Sequence, residues 1–158
     1  MNNWILFTLN GRAVRWEGSA SERLMDVLRR DCGITSLRCG CGDASCGMCT
    51  VLLDGTAVNA CLLSMGRIAD RDIETLEGFR SREGFRVLSE CFSECGAVHC
   101  GSCTPGMLLT AHSLLSASPH PSEAEIRDAL TGHLCRCGGI NAIVRAIAMA
   151  AERGRGLW

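Results

Sequence analysis

Leu37–Gly55, LRCGCGDASCGMCTVLLDG, places three thiols, Cys41, Cys46 and Cys49, in a glycine-rich loop that runs into a short apolar stretch and an Asp54-Gly55 turn signal. Cys61 follows, so this set reads C-x4-C-x2-C-x11-C. Further along, Cys100, Cys103, Cys135 and Cys137 read C-x2-C-x31-C-x-C. Two sets of four thiols suffice for two metal centres in a chain of 158 residues.

The first three thiols match the plant-type run that, with a later fourth cysteine, wraps a 2Fe-2S cluster. Each iron of such a cluster takes two thiolates, so the loop must turn tightly enough to aim its sulfurs inward. Gly40, Gly42 and Gly47 permit that bend, and Gly101 stands between two thiols of the second set. Gly138 and Gly139 offer the same freedom beside Cys137. Backbone N–H groups in such loops can point at cluster sulfurs and tune their potential. Two other uses of the thiols fit less well. Disulfides belong to oxidising compartments, and the start, Met1-Asn2-Asn3-Trp4, shows no basic leader, long apolar run or twin arginine. Zinc favours two C-x2-C knuckles about one tetrahedral site, whereas each set here holds only one such pair. The expectation is iron, in a reduced, cytoplasmic setting.

Sixteen Lys and Arg against seventeen Asp and Glu leave no basic surplus for nucleic acid or an anionic membrane. No apolar run reaches the length of a membrane span. At 47% apolar residues the chain can build one core or two small ones.

Ile5, Phe7 and Leu9 alternate with Leu6 and Thr8, Asn10-Gly11 interrupts, and Ala13 to Trp16 resume, which predicts a β-hairpin. Ser19 or Ser21 is expected to cap a helix carrying Leu24, Val27 and Leu28, running to about Arg30 and closed by Gly33. After the cysteine loop, Thr50 to Leu53 and Ala57 to Leu62 flank Asp54-Gly55 as a second hairpin. These elements make a mixed α+β unit over residues 1–78. Gly78 to Gly84 is expected as a linker. Over 84–158 the period becomes helical: Phe85, Leu88 and Phe92; then Met107, Leu108, Ala111, Leu114 and Leu115 after Pro105. Ser122-Glu123-Ala124-Glu125 opens a third helix through Ile126 and Leu130, and Ile143, Val144, Ile147 and Ala148 build a fourth.

With both cysteine sets placed, the segments LRCGCGDASCGMCTVLLDG, HCGSCTPGM and HLCRCGGI resemble the small iron-sulfur subunit of the molybdenum hydroxylases, the family of xanthine dehydrogenase, aldehyde oxidoreductase and carbon monoxide dehydrogenase. The resemblance covers nearly the whole chain. It implies an α+β fold, a β-grasp ferredoxin-like domain followed by a four-helix bundle, each with one 2Fe-2S cluster. On that resemblance Cys41, Cys46, Cys49 and Cys61 are the ligands of the N-terminal cluster, and Cys100, Cys103, Cys135 and Cys137 those of the C-terminal one. A large catalytic partner is expected to carry molybdopterin, and a medium-sized partner FAD. The C-terminal cluster would lie nearer the molybdenum and the N-terminal one nearer the flavin.

The chain departs from the family at His99, where Gln is common, and at Ala44, Met48 and Ile140, where Gly, Ala and an aromatic residue are usual. His99 precedes the first ligand of the second set and is a candidate pterin contact. It would either couple electron transfer to protonation or act as a neutral buried imidazole in place of the glutamine. Cys32, Cys39, Cys91 and Cys95 belong to neither set. Choosing Cys39 as a ligand breaks the plant-type spacing, and Cys32, Cys91 and Cys95 read as small apolar fillers. His112, His120 and His133 share no metal-ligand spacing. Arg136, between two ligands, would raise a cluster potential, pair with a partner's carboxylate or simply be solvated. The tail ending at Trp158 is expected either to fray or to dock on a partner.

Removing two electrons from a substrate through carriers that pass one at a time suits two clusters in series. No dinucleotide fingerprint, phosphate loop or acid/base constellation is present, so substrate chemistry is expected on other chains. Within the family the order of expectation is xanthine or another purine, then other N-heterocycles and aldehydes, then carbon monoxide. A free-standing ferredoxin-like carrier is the first alternative, although a net charge of -1 lacks the acidity that steers such carriers. A zinc-binding interaction protein is the second.

Overall fold

The computed structural model describes residues 4–158; Met1-Asn2-Asn3, on which the expectation about a leader partly rests, lie outside the described residues. The fold is α+β. Strands β1 (Trp4–Leu9) and β2 (Arg12–Glu17) precede helix α1 (Leu24–Arg30); β3 (Thr50–Leu53), β4 (Thr56–Asn59) and β5 (Asp72–Glu74) complete the sheet. Helices α2 (Leu76–Phe79), α3 (Glu83–Glu94), α4 (Thr104–Ala117), α5 (Glu123–Ala129) and α6 (Ile140–Arg153) follow. The sheet order is β2-β1-β5-β3-β4, with β5 parallel to β1 and the other pairings antiparallel.

Both hairpins form where the turn signals stand. Asn10 and Gly11 have φ of 51° and 77°, Asp54 and Gly55 of 48° and 82°, the two successive left-handed residues that match the twist of a tight hairpin. The second hairpin is shorter than expected. β4 ends at Asn59 and residues 60–62 form a 3-10 turn closed by the Leu63 N–H on the Ala60 carbonyl, just past a last ladder bond from the Ala60 N–H to the Cys49 carbonyl at 3.1 Å. That turn carries Cys61 toward Cys49.

The start of α1 also differs from expectation. Ser19 and Ser21 bond each other's hydroxyls and neither caps the helix. Long-range backbone bonds set its first turn instead: Leu24 N–H to the Leu63 carbonyl and Met65 N–H to the Glu22 carbonyl, both 2.8 Å. By contrast Ser122 and Glu125 close the expected capping box on α5. On α6 the buried face is Ile143, Val144, Ala146, Ile147 and Ala150, with Ala148 exposed.

Strand β3 explains why the halves adhere. Val51 packs with Phe7, Leu24, Leu28 and Ile73 on one face of the sheet, while Leu52 packs with the helical core of Phe79, Leu88, Phe92, Met107 and Ile147 on the other. Period-2 alternation puts these neighbours on opposite faces. Helix α4 is further tied to the β3–β4 hairpin through Ser113, whose hydroxyl accepts from Ala57 N–H and donates to the Gly55 carbonyl. Residues 76–79 form α2, and Phe79 is fully buried among the helices. The Asn10 side chain clamps the same region, its carbonyl accepting from Thr75 N–H at 2.8 Å and its amide donating to Thr75 Oγ1 at 3.0 Å.

Trp158 folds back onto its own chain. Its ring lies against Gly84 and Gly154, where an added Cβ would come within 2.9 and 2.6 Å. It tilts against His112, which itself stacks on Phe79 with centroids 4.4 Å apart. Burial, with a smaller push from Arg82, lowers the His112 pKa from 6.5 to about 4. The neutral imidazole is therefore the folded form, and the unfolded chain binds the extra proton between those two values. Stability is thus expected to fall as pH drops from 6.5 toward 4. Substituting His112→Gln should flatten that part of the curve, as measured by urea unfolding across the range.

Candidate metal centres

The first cysteine loop has no regular secondary structure between α1 and β3, and its backbone supplies the curvature. Gly42 and Gly47 have φ of 80° and 69°, a region that side chains resist. Gly40 serves differently: a Cβ there would sit 2.9 Å from the Cys46 sulfur and 2.7 Å from the Met48 sulfur. Ala44, where the family usually has glycine, nevertheless holds φ of 68°, at a cost of roughly 1–2 kcal/mol. The second set is assembled from two places. Cys100 and Cys103 lie at the start of α4, with Gly101 at φ of 81°, and Cys135 and Cys137 lie in the segment before α6.

Among the described residues no three His, Cys, Asp or Glu side chains gather as a single-ion site would require. The thiols stand in twos: Cys41 beside Cys46, Cys49 beside Cys61, Cys100 beside Cys137, and Cys103 beside Cys135. Two irons sharing four thiolates call for such twos. Cys46, Cys49, Cys61 and Cys103 are buried and Cys135 half-buried, while Cys41, Cys100 and Cys137 are exposed. Each set therefore has an inner side and an outer edge.

The donors around the sulfurs fit a cluster. The Ser45 hydroxyl and then the Asp43 backbone N–H hold Cys41 below the ordinary thiol value. At Cys100 the Ser102 backbone N–H and hydroxyl do the same. Burial pushes Cys49 and Cys103 up to about 12, the paired thiols of Cys61 and Cys135 adding to the rise. Backbone N–H groups of Met48 and Gly40 point at Cys46, and that of Cys61 at Cys49. Buried neutral thiols with N–H donors already aimed at them are poised to become metal thiolates, whose negative sulfurs those donors would stabilise.

The residues left over fall into place. Cys91 is fully buried in the helical core, its thiol raised by burial, and Cys32 and Cys95 pack at core edges. Cys39 and Arg136 are exposed, as is His120. His99 is also exposed on this chain. Its ring lies over Gly138, where an added Cβ would meet Nε2 at 1.8 Å. A small residue after Cys137 is what lets His99 occupy that space.

Sequence reasoning missed the contact between the two loops. The Leu134 N–H donates to the Cys46 carbonyl at 3.1 Å, linking the first cysteine loop to the segment just before Cys135. Gly47 is enclosed by the His133 ring and by Gly106 at the start of α4. No local pattern marks His133 or Gly106 for this role.

Two family models match the chain: a 2Fe-2S iron-sulfur cluster binding domain over residues 7–89, and a [2Fe-2S] binding domain over residues 75–148. The nicotinate dehydrogenase small FeS subunit of Eubacterium barkeri is 44% identical over 94% of this chain and 95% of its own length. This chain belongs to the small iron-sulfur subunits of the molybdenum hydroxylases. A nicotinate dehydrogenase subunit of Pseudomonas putida is 37% identical, over 98% of this chain and 99% of its own. Among solved structures, a chain of quinoline 2-oxidoreductase from Pseudomonas putida 86 superposes with a TM-score of 0.88 at 37% identity, covering 98% of both chains. The aldehyde oxidoreductase of Desulfovibrio desulfuricans superposes at 0.89 and 37% identity, but this chain spans only 17% of it. A chain of this family is the non-catalytic electron-transfer subunit of an oxidoreductase, and it binds 2Fe-2S clusters. Among the described residues no helix is long and apolar enough to cross a membrane.

A Cβ on Gly106 would stand 2.2 Å from the Gly47 carbonyl oxygen. Substituting Gly106→Ala must therefore push α4 away from the first cysteine loop. We expect a loss of about 1–3 kcal/mol, typical of forced overpacking, read as a lowered thermal unfolding midpoint.

Proposed function

We propose that this chain carries single electrons from a molybdopterin-bearing partner to an FAD-bearing one through two 2Fe-2S clusters. Cys41, Cys46, Cys49 and Cys61 hold the first cluster, and Cys100, Cys103, Cys135 and Cys137 the second. The observation that carries the assignment is the pairing of the thiols, two couples in each set, with backbone N–H groups aimed at the sulfurs. When bound, the clusters supply one-electron redox capacity, which lets a two-electron oxidation be drained in single steps. The chain's own residues bury the inner thiols, aim the N–H donors and leave one edge of each set open.

The outer edge of the second set, Cys100 and Cys137, faces the large subunit. It is flanked by Val98 and Leu134, 44% and 57% exposed, apolar side chains that a partner would cover. His99 on the same edge is the candidate pterin contact. Cys41 is the exposed outer edge of the first set, toward the flavin, and Leu62, next to Cys61 in sequence, is 67% exposed. In this reading residues 1–78 are a β-grasp ferredoxin-like domain, residues 84–158 a four-helix bundle, and the complex works in the cytoplasm. Its substrate is an N-heterocycle, a class to which purines belong; the relatives named for nicotinate and quinoline favour that ring chemistry over aldehydes.

The test is to purify the tagged chain with whatever accompanies it, and to measure metals and the low-temperature EPR of the reduced sample. About four iron per copy, with molybdenum, and two distinct 2Fe-2S signals are expected. The variants Cys61→Ser and Cys137→Ser should each remove or alter one signal, and not the same one, while Cys39→Ser leaves both. Iron without molybdenum would favour a free-standing carrier. Zinc in place of iron, or one signal lost in both ligand variants, would overturn the assignment.

A further inference from the structure

The two cysteine loops touch at a small junction outside the thiols themselves. Gly47, between Cys46 and Cys49, has φ of 69°, and a Cβ on it would fall 2.3 Å from His133 Nδ1 and 2.6 Å from Cε1. The imidazole thus lies against the backbone that joins two ligands of the first set. Gly106 closes the other side of the same peptide: its own Cβ would meet the Gly47 oxygen at 2.2 Å. That oxygen also accepts from the Thr50 hydroxyl at 2.8 Å, where β3 begins.

His133 is itself held from both ends. Its Nε2 hydrogen-bonds the Thr110 hydroxyl of α4 at 2.8 Å, and its backbone N–H donates to the Leu130 carbonyl at 3.0 Å. Its Nδ1 is buried and, among the described residues, has no hydrogen-bond partner. A ring pinned on one nitrogen, with the other against a ligand loop, is a wedge of fixed position. Two residues after it comes Cys135, a thiol of the second set.

We propose that His133 is a positioning residue for the first cluster, although it belongs in sequence to the second cysteine segment: it sets the path of the Cys46–Cys49 loop and so the geometry and potential of a centre that none of its neighbours in sequence ligates. Loop geometry acts on the potential through the N–H donors it aims at the sulfurs. The Met48 amide, one residue beyond Gly47, is one of those aimed at Cys46. Moving the wedge therefore moves a donor to the first cluster. This inference rests on the cluster assignment proposed above.

The experiment uses the purified complex, in which the first-cluster signal is the one altered by Cys61→Ser. His133→Ala should shift the g-values and midpoint potential of that signal at unchanged iron content. His133→Gln, which can keep a bond to Thr110, should restore much of the original signal. Thr110→Val frees the ring from α4 without touching either loop and should shift the first signal in the same direction, which keeps the test open if His133→Ala does not fold. A change confined to the second-cluster signal, or no change at the first in both His133→Ala and Thr110→Val, overturns the inference. Absence of iron from the unsubstituted complex would instead defeat the cluster assignment itself.

Discussion

The approach of the two cysteine loops is the constraint around which the molecule is arranged. A carrier with two centres in series is useful only if the centres are close and held still, and this chain achieves both with very small groups. Gly47 and Gly106 remove side chains where the first loop meets α4. The bond from Leu134 N–H to the Cys46 carbonyl then ties the loops directly. The larger packing serves the same end. Leu52 and Val51 send adjacent side chains of β3 into two different cores, so the sheet and the helices cannot shift independently without exposing one of them.

The electrostatics of the sites follow from burial combined with directed donors. Inner thiols such as Cys49 and Cys103 are raised by desolvation, which strongly disfavours a bare thiolate there. A metal changes that balance, because it takes the charge and the surrounding N–H groups stabilise what remains on sulfur. The outer thiols Cys41 and Cys100 are instead held low by Ser45 and Ser102 with neighbouring amides. Each centre is consequently graded from a dry inner side, set among packed elements, to a wet edge open to partners.

Much of the architecture was legible before any coordinates. Asn10-Gly11 and Asp54-Gly55 announced both hairpins because two consecutive left-handed residues have few chemical solutions. Ser122 and Glu125 announced α5 through a box that is wholly local. Misreadings arose where distant chain intervened. Ser19 and Ser21 look like caps, yet bonds to Leu63 and Met65 define the start of α1. Residues 60–62 look like strand, yet the ladder stops at the Ala60 bond to Cys49 and the Leu63 N–H closes a 3-10 turn on the Ala60 carbonyl. The tail ending at Trp158 reads as one that frays or docks on a partner, but the bare surfaces of Gly84 and Gly154 give its ring a seat on this chain.

The same division runs through the candidate site. The spacing of eight cysteines by itself favoured iron and sulfide over zinc or disulfides, and the segments around them carried the resemblance to the family. Local chain stiffness makes such spacing informative over a few residues. Only the tertiary structure decided that Cys100 pairs with Cys137 and Cys103 with Cys135, that His99 lies exposed over Gly138, and that His133 wedges against Gly47. Those contacts join residues tens of positions apart, beyond the reach of any local pattern.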